Sequence, residues 1–218
     1  MIKLNLNMVH GGAFKVLCLG AHSDDIEIGC GGTILRLKEE YPECTFYWAV
    51  FSAIGVRKTE AQRGAESFVG SKRLASAQFK DFRDGFMPFA GSDVKIAFEE
   101  LKETVSPDLI FTHNRRDAHQ DHRLISELTW NTFRNHLILE YEVPKYEGDL
   151  GRPNLYVPLS SATAARKVEL LTRHFPSQAS RAWFRPDTFH GVMSIRGIEC
   201  NAADGRAEAF HVCKATLG

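Results

Sequence analysis

Much of what constrains this chain is missing from it. No apolar run approaches the roughly 20 residues of a membrane span, so insertion into a membrane is not expected. Neither sign of charge dominates: 27 basic residues stand against 27 acidic ones, which leaves no global field for nucleic acid or an anionic surface. Cysteine is sparse, with five residues, an odd count, and no Cys-x-x-Cys pair. That argues against a disulfide frame and for free thiols in a reducing compartment, with Cys18 and Cys44 as small buried hydrophobes. The N-terminus shows no secretory signal pattern, and the expected location is cytoplasmic. There is no Gly-x-Gly-x-x-Gly fingerprint, no repeat of fixed period and no sharp linker, so residues 1–218 are read as one domain.

What is present concentrates between Val16 and Thr33. Val16 to Gly20 is an unbroken apolar run, as expected of a parallel strand buried on both faces. It stops at His22, Asp24, Asp25 and Glu27, one imidazole and three carboxylates within six residues. A turn rich in glycine (Gly29, Gly31, Gly32) is expected next, then a helix over 33–40. A helix N-terminus favours acids, which accounts for one carboxylate or two. It does not account for a histidine set against them, and the cluster reads as a metal site.

The rest of the chain alternates. After a loose lead-in over residues 1–14 and the first strand, a strand is expected over 44–52, a helix over 57–69 and a short strand near 77–79. A helix over 94–105 precedes a strand over 107–113 that ends in His113. A second polar turn follows, bearing Arg115, Arg116, Asp117, His119, Asp121 and His122, and leads into a helix over 121–135. Beyond it come a strand within 136–143, a long loop over 145–158, a helix over 162–174 and a tail read as short strands. Strands separated by crossovers of this length make βαβ units. The expected fold is α/β, a Rossmann-like three-layer arrangement with a mostly parallel central sheet. Both polar turns then fall at the carboxyl edge of the sheet, where such folds bind ligands.

Catalytic zinc takes about three protein ligands and keeps a position open for water. His22 and Asp25, three apart, can converge from a turn entering a helix, and the second turn supplies His119 or His122 as the third ligand. Asp24, beside a ligand, is placed to take a proton from water that zinc acidifies to a pKa of about 7. The histidine left unligated can donate to a leaving amine. These are the parts of a metal-assisted amide hydrolase. A dinucleotide-binding protein would need bare backbone where the histidine and aspartates stand, and a closed structural zinc site would want four ligands, commonly with cysteine.

Ala21-His22-Ser23-Asp24-Asp25-Ile26-Glu27 resembles the Ala-His-Pro-Asp-Asp-x-Glu motif of the zinc-dependent N-acetylglucosaminyl deacetylases, the LmbE-like or PIG-L family. His119-Gln120-Asp121-His122 is similar to that family's His-Pro-Asp-His motif, in the family's order, and the resemblance covers roughly residues 15 to 130. Arg57-x-x-Glu60 is similar to a family arginine, and Ala207-Glu208-Ala209-Phe210 to a common C-terminal signature. The resemblance implies His22, Asp25 and His122 as ligands to zinc or another divalent ion. It further implies Asp24 as general base, His119 as the group that stabilises the oxyanion and protonates the amine, and Asp121 as its orienting partner. Arg57 would bind substrate, and His113 is read as a substrate contact or a support of the site. Ser23 and Gln120 stand where the family has prolines, which touches turn stiffness rather than ligation. The implied substrate is a small N-acetylated sugar or sugar conjugate, with a non-sugar N-acyl compound as the alternative; homo-oligomerisation is left open.

Overall fold

A computed structural model describes residues 14–216; the lead-in expected over 1–14 lies, apart from Phe14, outside them. The strands are β1 (Lys15–His22), β2 (Thr45–Ser52), β3 (Leu74–Phe79), β4 (Leu109–His113), β5 (Leu137–Tyr141), β6 (Leu155–Pro158) and β7 (Ala207–His211). The helices are α1 (Asp25–Glu40), α2 (Val56–Val69), α3 (Gly91–Thr104), α4 (Gln120–Thr132), α5 (Ser161–His174) and α6 (Pro186–Glu199), with short 3-10 turns at Met87–Ala90 and Pro176–Gln178. One seven-stranded sheet runs β3-β2-β1-β4-β5-β7-β6. Its first five strands are parallel, and β7 is antiparallel to both β5 and β6. The mostly parallel α/β sheet expected from the sequence is therefore present.

The alternation of side chains along β1 divides the core. Val16 and Cys18 face one apolar layer, shared with Phe68 of α2, Leu171 of α5 and Met193 of α6. Leu17 and Leu19 face the other, with Phe98 of α3 and Ile125 of α4. Helices thus cover both faces, giving three layers. β1 lies between β2 and β4, so the chain leaves it in opposite directions along the sheet. The crevice at that switch point, beyond the carboxyl ends of β1 and β4, is where both polar turns emerge.

Several local expectations are corrected. Gly29, Gly31 and Gly32 form no turn; they lie inside α1, which begins eight residues earlier than expected, at Asp25. The reason is close packing: a Cβ on Gly29 would stand 2.2 Å from the Tyr141 ring, and one on Gly31 2.5 Å from Phe68. In an open helix Gly→Ala gains up to about 1 kcal/mol. Here Gly29→Ala is expected to cost about 1–3 kcal/mol through overpacking, read as a fall in denaturant midpoint; an unchanged midpoint would mean that Tyr141 gives way. The tail holds a helix, α6, and the single strand β7 instead of several strands. Pro186 opens α6, and Gly197 lets it pass the Gly205 backbone, where a Cβ would sit 2.3 Å away. The expected long loop contains β6, β3 begins at Leu74 rather than Ala77, and α4 ends at Thr132 because Phe133 turns into the core. Among the described residues no helix is long and apolar enough to cross a membrane.

Candidate active site and metal centre

β1 ends at His22 and α1 starts at Asp25, with Asp24 at its N-cap. The Asp24 side chain makes no capping bond, so its carboxylate is free for the crevice. From β4, the loop over 114–118 leads to α4, whose N-cap is His119. His119 Nδ1 accepts from the Asp121 amide at 3.2 Å, which puts the proton of the neutral ring on Nε2 and makes that nitrogen a donor.

Three atoms converge where the two turns meet. His22 Nδ1 lies 3.1 Å from His122 Nε2 and 3.3 Å from Asp25 Oδ2, and His122 Nε2 lies 3.5 Å from Asp25 Oδ2. Ligands held about 2.0–2.1 Å from a tetrahedral zinc are separated by about 3.3 Å. The triangle therefore has the size such an ion requires. The tautomers agree as well. His122 Nδ1 donates to Asp117 Oδ2 at 3.0 Å, leaving Nε2 with a free lone pair. His22 Nε2 faces Asp84 Oδ1 at 3.0 Å and Asp121 Oδ2 at 3.3 Å, leaving Nδ1 for the centre. Ligating histidines commonly give their second nitrogen to a carboxylate in this way.

The charges follow. Burial, aided by the His113 ring, pushes His122 down to about 4 against the pull of Asp25 and Asp117, so it is neutral and able to ligate at ordinary pH. Burial opposes ionisation of Asp25, but His122, His113 and His22 outweigh it and hold its carboxyl well below the carboxylate range. Burial would lower His22 too, yet Asp25, Asp121 and Asp84 raise it well above an ordinary histidine. These carboxylates make the point electronegative, so that a cation could be held there. Asp24 is pushed up by burial against the Arg57 guanidinium, which bonds its Oδ1 at 2.5 Å. Its Oδ2 is buried without a partner, an acceptor left open for a proton. Burial and the nearby His22 push His119 down.

His22, Asp24, Asp25, Arg57, His119, Asp121 and His122 are thus brought together. Asp121 and Arg57 sit differently from their expected roles, Arg57 bonding Asp24, and His113 takes the supporting one of the two roles read for it. The Asp121 carboxylate is taken up by the amides of Gly85 (2.7 Å) and Met87 (3.2 Å) and by His22; it meets His119 only through its backbone amide. His113 has no exposed surface. Its Nε2 lies 2.9 Å from the Ala21 amide and 3.2 Å from both Asp25 Oδ2 and the Tyr141 hydroxyl, so it backs Asp25 from beneath. Asp25, His113 and His122 also lie close enough to share an ion, as do His22, His119 and His122. The first of these sets is wholly buried, whereas the triangle of His22, Asp25 and His122 includes the partly exposed His22.

Sequence reasoning assigned no role to Asp117, although it lies in the second polar turn. Its Oδ1 accepts from the His119 amide and its Oδ2 from His122 and Lys145. Burial works against its ionisation, but the bond from His122 and the neighbouring Lys145 ammonium hold it well below the carboxylate range. The available signal was its spacing, five residues before His122 on a loop that must curl back. Asp117→Asn is expected to lower zinc affinity about 10- to 100-fold, the usual effect of losing an outer partner of a ligating histidine. Competition with a chromophoric chelator measures this, and parent-like affinity would show that His122 needs no such support.

Comparison with known proteins gives the family and the fold. The family profile described as PIG-L, GlcNAc-PI de-N-acetylase, matches residues 17–133, more than half of the chain. The uncharacterized deacetylase YaiS of Escherichia coli (strain K12) is 28% identical over 142 residues, covering 59% of this chain and 74% of that protein. The N,N'-diacetylchitobiose deacetylase of Pyrococcus horikoshii superposes with a TM-score of 0.68 at 18% identity, covering 92% of this chain and 84% of that one. GalB, the 4-carboxy-2-hydroxymuconate hydratase of Pseudomonas putida KT2440, does so with a TM-score of 0.75 at 17% identity, covering 94% and 98%. These two structures establish the shared fold, and a fold that serves a deacetylase and a hydratase leaves the reaction to the site. Through the matched segment, which carries both polar turns, the chain belongs to the PIG-L family of de-N-acetylases.

Proposed function

We propose that this protein is a zinc-dependent hydrolase that removes an acetyl group from the nitrogen of an amino sugar or sugar conjugate. The observation that carries this reading is the triangle of His22 Nδ1, Asp25 Oδ2 and His122 Nε2, sized for one ion, beside a buried carboxylate with an open oxygen. His22, Asp25 and His122 would hold the metal, which when bound supplies Lewis acidity toward the acyl carbonyl and a lowered pKa for water. Asp24 takes the proton of the attacking water at Oδ2, while Arg57 steadies its other oxygen. His119 offers Nε2–H to the oxygen on which negative charge develops. As the carbon–nitrogen bond breaks, the proton taken up in the attack is delivered to the nitrogen, which departs as the neutral amine.

The sugar is supported by the family and by the chitobiose deacetylase among the structural neighbours. Acetate release measured across free, glycosidically linked and nucleotide-linked N-acetyl amino sugars tests it. Turnover of at least one of them is the expected result. Hydrolysis of some other amide alone would move the substrate class to non-sugar N-acyl compounds. Hydration of an unsaturated carboxylic acid with no amide cleavage would overturn the reading.

A further inference from the structure

Lys167 of α5 and Glu208 of β7 form a buried ion pair, 3% and 4% exposed, with Nζ and Oε1 2.6 Å apart. Both lie beyond the segment that the family profile matches. Their other partners are unusual, because they are backbone groups in the interior of α1. Lys167 Nζ donates to the carbonyl of Ile28 at 2.5 Å. Glu208 accepts from the amides of Gly32 at 2.8 Å and Thr33 at 2.6 Å, one on each oxygen. In a regular helix the Gly32 amide serves the Ile28 carbonyl, and the Thr33 amide serves that of Gly29. The ion pair thus grips the ladder of α1 at three points, one to two turns beyond Asp25. Gly32 makes this approach feasible, since a Cβ there would stand 3.0 Å from Glu208 Oε1 and 2.5 Å from Leu159.

A buried ion pair is a poor device for stability alone, because desolvating both ions offsets their attraction and an apolar pair of similar volume often serves as well. An apolar pair slides along a helix, however, whereas hydrogen bonds to individual backbone groups fix where the helix stands along its axis. We propose that Lys167 and Glu208 are positioning residues for the metal centre. By setting the axial place of α1 they place Asp24 and Asp25 against His122, which reaches the centre from a separate helix. The proposal rests on the zinc reading given above.

The double variant Lys167→Met/Glu208→Leu tests it. It removes both charges together, and the freed Gly32 and Thr33 amides still have the Ile28 and Gly29 carbonyls as partners. The metal-free variant is expected to melt within about 4 °C of the parent, while zinc affinity, read by chelator competition, falls at least about 10-fold. Parent-like zinc affinity overturns the proposal, and so does a melting temperature that drops as severely as the affinity, which would assign the pair to fold stability. Should the double variant not fold, Lys167→Met/Glu208→Gln, which also removes both charges together and keeps the volume of Glu208, carries the same two readings. A parent protein that binds no zinc in this assay would instead defeat the metal reading itself.

Discussion

Asp24→Asn is expected to retain its zinc and lose about two to four orders of magnitude in turnover, the worth of a positioned base. The substitution keeps the shape of the side chain and can still accept the Arg57 bond through its amide oxygen. What disappears is the basic oxygen that is buried without a partner. Asp24 makes no contact with the three converging atoms, which belong to His22, Asp25 and His122, so metal content should be unaffected. Elemental analysis and acetate release on the same preparation separate the two effects. If Asp24→Asn loses zinc while Asp25→Asn keeps zinc and activity, the neighbouring aspartates have been assigned the wrong way round.

Removing a ligand should act on the metal first. His22→Ala, Asp25→Ala and His122→Ala each delete one vertex of the triangle, and two donors do not make a zinc site of the usual coordination. Purified variants are expected to contain little zinc, and a chelator should silence the parent until zinc or another divalent ion is restored. His122→Ala is the sharpest of the three, because His122 comes from α4, 100 residues from its partner His22. Stoichiometric zinc in that variant would show that the second polar turn does not reach the ion. Turnover that survives the chelator would end the metal mechanism altogether.

The candidate site was legible in the sequence because its parts are local. His22, Asp24 and Asp25 fall within four consecutive positions at a strand-to-helix junction, and His119 and His122 are three apart at another, so spacing alone aims them. The parallel sheet was legible for the same reason, since the apolar run of β1 and the intervening crossovers leave few alternatives. Tertiary structure decided everything that depends on segments far apart in the chain. It assigned the Asp121 carboxylate to the 85–87 loop instead of His119, because that loop presents two amides to it. It placed His113 beneath Asp25, deciding between the two roles that a strand end seen alone had left open, substrate contact and support of the site. It drew Asp117 back onto His122. The glycines of α1 imitated a turn because glycine marks both left-handed backbone and close approach, and only the rings of Tyr141 and Phe68 show that approach was the need. Lys167 and Glu208 are 41 residues apart, and although Glu208 falls in the segment similar to a C-terminal signature, nothing there points to Lys167 or to α1, so their grip on α1 became visible only once α5 and β7 were packed against it.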